Sequence, residues 1–402
     1  MRNLGDGVSK MINLVFIIFL LSWLAGGLAR TLFFPKDINY LENRSANKAA
    51  VFSVSAYLDS SFQESMENAL SDQLPFAQRM KNGYNLADSY LALKMLRPVI
   101  VTYRDRYIPY RGKWIFREEY LLYSMSKLWP GDTRYDANLY SYNAGFAANP
   151  DADFYVYYIE TDFDMDFMTG EKSGIYEYIE ENLDLPEDRI DRLAIDSFED
   201  YSRYFLKTDH HWCYRGSYQG YTDILRMLAP EETPLQPLET VTLGTSSGSK
   251  AAGVGVYGFQ EDFSVYRFAF PDMIVVINGR PMDYDSQSVW LRRADEGLSA
   301  TVADGLGYGS FYGGDTGEIV FDTGRADREN LLILGDSYDN AIIKLLASHF
   351  GRTYAVDQRY YEADNGVPFD LPEYIREHDI TKVLLAGYAF SFQTTEFAWE
   401  QG

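Results

Sequence analysis

A chain of 402 residues with 46% hydrophobic side chains is long enough for roughly two or three domains and can bury sizeable cores, which excludes a disordered chain. Its formal charge of −23, from 59 acidic against 36 basic residues, excludes nucleic acid or anionic lipid as the main partner, because phosphate contacts draw on Lys and Arg. The single cysteine, Cys213, excludes an intramolecular disulfide.

Residues 1–10, with Arg2 and Lys10, are expected to be cytoplasmic, and Met11 to Ala29 then runs without a charge. As a helix this stretch covers roughly 28 Å, close to the thickness of a bilayer core, so it predicts a single membrane span. Gly27-Leu28-Ala29 resembles a signal-peptidase site, which makes a cleaved signal peptide the competing reading. Positive charge lies on both flanks and decides no orientation by itself; the large acidic remainder is expected outside the cell membrane. Residues 30–60 form a linker, and 61–402 form the extracytoplasmic domain.

Within that domain, Ser61 to Leu96 has helical periodicity, interrupted at Pro75 and stopped by Pro98. Val99 to Phe116 alternates as a β-hairpin with Arg111-Gly112-Lys113 at its turn, and Glu118 to Trp129 is expected to be helical. Phe154 to Glu160 reads as a buried strand, Gly174 to Asn182 as a helix, Arg189 to Ile195 as a short return, and Ser217 to Leu228 as a helix. Residues 239–322, dense in Gly, Thr, Val and Tyr, predict a β-rich insertion. Strands at Leu331 to Leu334, Thr353 to Val356 and Lys382 to Leu385, linked by helices at Asn340 to His349 and Leu371 to His378, complete a Rossmann-like parallel sheet.

Chemistry concentrates in Leu206 to Gly216, which holds two of the four histidines. Imidazole exchanges protons near neutral pH, and an adjacent acid can orient it. In an extended segment, Asp209 and His211 share one side while His210 and Trp212 face the other. A nucleophile is available in L-L-I-L-G-D-S-Y, where Ser337 stands at a strand's C-terminal end and at the start of a helix whose first amides can stabilise an oxyanion. Open α/β sheets place their sites at that edge. Cys213 reads as a buried thiol rather than a nucleophile, and His349 and His378 as helix-terminal residues that complement the macrodipole. The 33 tyrosines suit core filling first and sugar stacking second.

Thr208 to Trp212, T-D-H-H-W, combined with Gly335 to Tyr338, G-D-S-Y, resembles the DHHW proteins, relatives of the alginate O-acetylation proteins in the SGNH/GDSL hydrolase superfamily. Glu42 to Arg44, E-N-R, and Asp72 to Phe76, D-Q-L-P-F, add weaker support. The resemblance implies an SGNH-hydrolase-like three-layer αβα fold and a triad of Ser337, His211 and Asp209. It implies an extracytoplasmic serine acyltransferase that O-acetylates a cell-surface or exopolysaccharide glycan through acetyl-Ser337. No cofactor is then needed, because a membrane-bound O-acyltransferase partner supplies the acetyl group. Most SGNH enzymes carry D-x-x-H near the C-terminus; here acid and histidine precede the serine, as in the alginate-type proteins. The usual G-x-N-D is absent, and G-Y-A-F-S-F at Gly387 to Phe392 stands in its place. Ser337 and Tyr388 are therefore the oxyanion-donor candidates, with Trp212 and His210 as further substrate-binding candidates.

Other classes compete. The same triad serves an O-acetyl esterase when water is the acceptor. A non-catalytic glycan-binding or scaffold protein would use the aromatic surface alone. Asp209-His210-His211 also resembles the metal motif of DHH phosphoesterases, with Asp162, Asp164 and Asp166 as extra carboxylates, but the glycine- and histidine-rich motif of those enzymes is missing and no metal is expected. The D-x-D-x-D run fails as an EF-hand, since Phe167 replaces the glycine and Ser173 the final glutamate, and it reads as a solvated loop.

Overall fold

A computed structural model of the chain describes residues 2–36, 38–39, 44–45, 47–74, 77–110, 112, 114–123, 133–256, 259–282, 307–311 and 315–393. The chain forms two compact units that meet in sequence between Ala92 and Leu93.

In the first unit the uncharged run lies within a helix, Arg2–Phe33, whose segment Lys10–Phe33 is long and apolar enough to cross a membrane. Its apolar side chains from Met11 to Leu24 are largely exposed. The helix Ser61–Gln73 ends in Asp72 and Gln73, both buried. Gln73 accepts the Lys36 amide at 2.7 Å, and Asp72 accepts the amide and side-chain N–H of Asn47 at 2.8 and 3.0 Å. The first half of D-Q-L-P-F thus fastens the segment read as a linker. Pro75, Phe76, Glu42 and Asn43 fall outside the described residues. The next helix, Ala77–Thr102, runs through Pro98 instead of stopping there. A proline removes one amide and clashes with the preceding turn, yet the helix closes one more turn beyond it.

The second unit is built on an eight-stranded sheet. Its strands in chain order are β1 (Asp153–Ile159), β2 (Ile190–Leu193), β3 (Ile274–Ile277), β4 (Arg280–Met282), β5 (Glu318–Asp322), β6 (Asn330–Leu334), β7 (Arg352–Val356) and β8 (Ile380–Gly387). The spatial order is β4-β3-β5-β7-β6-β8-β1-β2. The five strands from β7 to β2 are parallel, whereas β5, β3 and β4 extend the β7 edge antiparallel. Three of the five strands described in the expected β-rich insertion therefore belong to the main sheet. Its other strands, Glu239–Ser246 and Glu261–Arg267, pair as a separate ribbon, and residues 283–306 and 312–314 lie outside the described set.

Alternation along the parallel strands sets the layers. Tyr155, Tyr157 and Ile159 of β1, with Leu331 and Ile333 of β6, face one core against the helix Tyr214–Leu228. Phe154, Val156 and Tyr158, with Leu332 and Leu334, face the other against the helices Thr133–Ala148, Ile175–Asn182 and Leu371–Glu377. Both faces are buried, which is why these strands read as unbroken apolar runs. Truncating a central residue such as Leu332 to Ala would cost about 2–5 kcal/mol.

Of the hairpin expected over Val99 to Phe116, residues 99–102 belong to the preceding helix, and the hairpin forms between Ile108–Tyr110 and Trp114–Arg117, with Gly112 at φ +83 in its turn; Arg111 and Lys113 lie outside the described residues. The helix expected over Glu118 to Trp129 is not found at its start: Tyr120–Tyr123 is a third strand paired to Trp114–Arg117. Its Y-L-L-Y side chains find partners across the ladder, and that tertiary pairing overrides a short helical pattern. The remainder of that stretch is not described.

Candidate active site

Three parallel strands deliver their C-terminal ends to one edge of the sheet. β6 runs into Gly335-Asp336-Ser337, β1 into Glu160-Thr161-Asp162, and β8 into Tyr388 to Ser391. The helix expected over Asn340 to His349 is shorter: a single 3-10 turn at Asp339–Ala341 precedes Ile343–Ala347. Ser337 therefore sits in a turn ahead of the helix and not on its first residue. Asp336 shapes that turn, accepting the Tyr338 amide at 2.9 Å and the Ser391 hydroxyl. The Ser337 amide donates to no acceptor among the described residues.

The D-H-H-W stretch is a tight loop and not an extended strand. Phe205 and Trp212 form an isolated bridge across it, with the Leu206 amide on the His211 carbonyl at 3.1 Å and the Cys213 amide on that of Tyr204 at 2.7 Å. Inside the loop Asp209 makes an Asx-type turn, its Oδ1 accepting the His211 amide at 3.1 Å and His211 Nδ1 at 2.7 Å. The D-x-H spacing thus serves a turn, and the His210 ring lies against His211 at 3.8 Å between centroids instead of facing away.

His211 Nε2 meets Ser337 Oγ at 2.8 Å. With Asp209 accepting from Nδ1, Nε2 is left as the acceptor for the Ser337 hydroxyl. Serine, imidazole and carboxylate so form one hydrogen-bonded chain, with Asp209 and His211 buried and Ser337 half-buried. Burial alone would raise the Asp209 carboxyl. The neighbouring His211, His210 and the Ser249 amide outweigh it and hold Asp209 well below the usual carboxylate range. Burial pushes His210 down to about 3, so it stays neutral near pH 7.

Residues far away in sequence hold the loop. Ser249 donates its amide to Asp209 Oδ2 at 2.8 Å and shares a 2.6 Å hydrogen bond with His210 Nδ1. Glu261 takes the Lys207 amide at 2.8 Å and the Thr208 amide and hydroxyl at 2.7 Å. Gly248 passes so close that a Cβ there would lie 2.4 Å from Asp209 Cβ. Tyr308 stacks on the His211 ring at 3.8 Å and 3°. Its hydroxyl accepts from Trp212 Nε1 at 2.7 Å and donates to the Tyr338 carbonyl at 2.6 Å. Tyr338 in turn donates its hydroxyl to the His210 carbonyl at 2.5 Å. No fixed spacing links Ser249, Glu261 and Tyr308 to the motif, which is why the sequence did not reveal them.

Two substrate-binding expectations are refined. Trp212 is 1% exposed. Its ring lies so near the helix Tyr214–Leu228 that a Cβ at Gly220 would sit 2.6 Å from it, and Trp212 is part of the wall behind the site. It also lines a small apolar cavity of about 20 Å³ with Leu206, Tyr218, Phe263 and Leu345, space for about one water. Tyr388 donates its amide to Ser391 Oγ at 3.1 Å, so that amide serves its own turn. Its ring lies 5.0 Å from Tyr338 and 6.4 Å from His210 and borders the site. The Cys213 thiol is pushed up by burial and donates to the Arg203 carbonyl. His349 does not complement a helix dipole: burial lowers its pKa, and it bridges Tyr221 at 2.6 Å and Glu232 at 3.1 Å.

The D-x-D-x-D run is not a solvated loop. Asp162 and Asp164 are buried. Asp164 accepts from Tyr158 at 2.6 Å, the Thr161 amide at 2.9 Å and Ser173 at 3.1 Å, and Asp162 pairs with Lys250. Among the described residues, Asp209, His210 and His211 are the set of three whose ligand atoms lie within 4.8 Å of one another. His211 already uses both ring nitrogens on Asp209 and Ser337, and His210 Nδ1 is held by Ser249. A cation would have to break that chain.

No family model and no curated protein matches the sequence. Solved structures do. A DHHW family protein from Eubacterium siraeum has a TM-score of 0.57 and 16% identity, over 73% of this chain and 98% of that one. Bacillus cereus PatB1 with a sulfonyl adduct has a TM-score of 0.52 and 17% identity, over 72% and 98%. A second structure of PatB1 has a TM-score of 0.50 and 19% identity, over 73% and 100%. At these identities the likeness is one of fold: this chain shares the α/β architecture of a DHHW family protein and of PatB1.

Proposed function

We propose that this chain is an extracytoplasmic serine acyltransferase that moves an acetyl group through Ser337 to a hydroxyl of a cell-surface or exopolysaccharide glycan. The observation that carries the proposal is the hydrogen-bonded series Ser337, His211, Asp209 at 2.8 and 2.7 Å, at the C-terminal edge of a parallel sheet. The resemblance of T-D-H-H-W and G-D-S-Y to the DHHW and alginate O-acetylation proteins supplies the reaction class, and the fold shared with PatB1 supports it.

His211 Nε2 withdraws the hydroxyl proton as Ser337 Oγ attacks the acyl carbon of an acetyl donor. The developing oxyanion is met by the Ser337 amide, and His211 returns the proton to the leaving oxygen. The glycan hydroxyl then gives its proton to His211 and attacks acetyl-Ser337; the Oγ–acyl bond breaks, and His211 returns the proton to Ser337 Oγ. Asp209 holds the Nδ1–H tautomer throughout. Tyr388 and His210 border the space for the acceptor. The N-terminal helix anchors the unit in the membrane with its catalytic part outside. Acetyl-CoA being cytoplasmic, a membrane-bound O-acyltransferase partner supplies the acetyl group.

The test is mass spectrometry of the full-length, detergent-solubilised chain after treatment with a small activated acetyl ester and, separately, with a sulfonyl fluoride. The expected result is an adduct on Ser337 in the wild type and none in His211→Ala. An unmodified Ser337 in the wild type sinks the proposal. Adding a soluble oligosaccharide distinguishes transfer from hydrolysis: acetylated sugar supports the transferase, and free acetate alone supports the esterase.

A further inference from the structure

Resting on that reading of the triad, we infer that Lys250 and Asp162, which do not touch the reacting groups, are positioning residues for Asp209. The two side chains are each 1% exposed and meet at 2.6 Å between Lys250 Nζ and Asp162 Oδ2. Nζ also donates to the Tyr201 hydroxyl at 2.6 Å, and Asp162 Oδ2 also accepts the Tyr123 amide at 2.7 Å. Asp162 Oδ1 is buried with no hydrogen-bond partner among the described residues. Such a pair is an expensive way to hold a core together. Both ions are taken out of water at 1% exposure, and apolar residues of equal volume serve folding at least as well.

Position gives the pair a use. Lys250 follows Ser249 in the short helix Ser249–Val254. The backbone there grips the D-H-H-W loop at three points: the Gly248 amide donates to Thr208 Oγ1 at 2.9 Å, the Ser249 amide to Asp209 Oδ2 at 2.8 Å, and the Ala251 amide to the Thr208 carbonyl at 3.0 Å. Gly248 is also in direct steric contact with Asp209. Any shift of this segment therefore moves the carboxylate that orients His211. Asp162 stands just past the C-terminal end of β1, in the same sheet as β6, whose C-terminal end runs into the turn of Ser337. Through the ion pair, the segment that holds the acid is referenced to the same sheet as the nucleophile. The D-x-D-x-D run so acquires a part in the site without binding a metal.

The test uses the full-length chain in detergent, with Asp162→Asn, Lys250→Met, and the double variant Lys250→Met/Asp162→Asn. The double variant leaves no unpaired buried charge and keeps an acceptor for the Tyr123 amide. Three quantities are measured: melting temperature, kcat and KM for an activated acetyl ester, and the far-downfield proton resonance of His211 Nδ1–H. The expected result is a double variant that melts near the wild type yet loses roughly 10- to 100-fold in kcat, with KM within about twofold, the loss that follows from a misplacement of about 1 Å. Its Nδ1–H resonance should shift or broaden. A folded double variant with wild-type kcat and an unmoved resonance overturns the inference while leaving the triad intact. A double variant that does not fold also counts against it, since the pair would then hold up the core. Absence of Ser337 acylation in the wild type overturns both readings together.

Discussion

Two loops at the same sheet edge carry buried aspartates beside aromatic rings, and they differ in where the carboxylates point. In the turn after β1, Asp164 is closed upon its own neighbourhood, with Tyr158, Thr161 and Ser173 as partners. In the D-H-H-W loop, Asp209 is turned on an imidazole whose other nitrogen reaches Ser337. Burial penalises both acids, with opposite net results. Asp164, with burial dominant, is raised to about 6, while Asp209 is held well below the usual range by histidines and an amide. Burial of an acid is thus no mark of chemistry; a partner that must be oriented is.

The largest effect expected separates the loops outright. Ser337→Ala and His211→Ala should each lower turnover on the order of 10⁶-fold, as loss of one member disables a triad. Asp164→Asn, which keeps its shape and most of its hydrogen bonds, should stay within about twofold. Comparable losses in His211→Ala and Asp164→Asn would erase the distinction. Next comes the acid itself: Asp209→Asn should lower kcat roughly 10⁴-fold with KM nearly unchanged, because the amide favours the wrong imidazole tautomer. Gly248→Ala, whose methyl would press on Asp209, should lower kcat by about 10².

A smaller effect lies in stability against pH. The folded chain keeps a proton on Asp164 that the unfolded chain releases near pH 4. That stabilisation is complete below about pH 4 and is lost as pH rises through about 6, some 3 kcal/mol in all. Asp209 acts in the opposite sense: its stabilisation is present above about pH 4 and is lost as pH falls below it. Asp164→Asn should therefore flatten the decline in melting temperature between pH 4 and 6 and leave the acid limb below pH 4. An unchanged slope in that variant would show that Asp164 is ionised when folded.

Much of this arrangement was legible in the sequence because it is local. The strand before Ser337 is an apolar run with a glycine stop, and the parallel core follows from such runs alternating with helices. The nucleophile's place could be read from eight consecutive residues. The base was legible only as a motif. How Asp209 and His211 meet depends on an Asx-type turn, and the turn depends on Ser249, Glu261 and Tyr308, 40 to 97 residues downstream. Side chains recruited over such distances leave no period or spacing. The same reason hid the burial of Asp162, whose partner Lys250 lies 88 residues away, and made a solvated loop the natural reading of three alternating aspartates.

Tyr308 offers the finest division of the comparison, because it touches the imidazole by its face and the surrounding loops by its hydroxyl. The ring lies parallel to His211 at 3.8 Å, while the hydroxyl joins Trp212 to the Tyr338 carbonyl. Burial raises the phenol far above its ordinary pKa, so it stays a neutral donor. Tyr308→Phe keeps the stack and strands the buried Trp212 N–H, which should cost about 1–3 kcal/mol of stability while changing the rate of Ser337 sulfonylation less than about threefold. Tyr308→Leu removes the stack as well, and a stack of this kind contributes about 0.5–1.5 kcal/mol, so sulfonylation should slow by up to about tenfold. Melting temperature and sulfonylation rate, measured side by side, separate the two contacts. If both variants slow labelling equally, the hydroxyl's hydrogen bonds and not the ring hold the imidazole, and Tyr308 then acts on His211 as Glu261 acts on Thr208, through the loop alone.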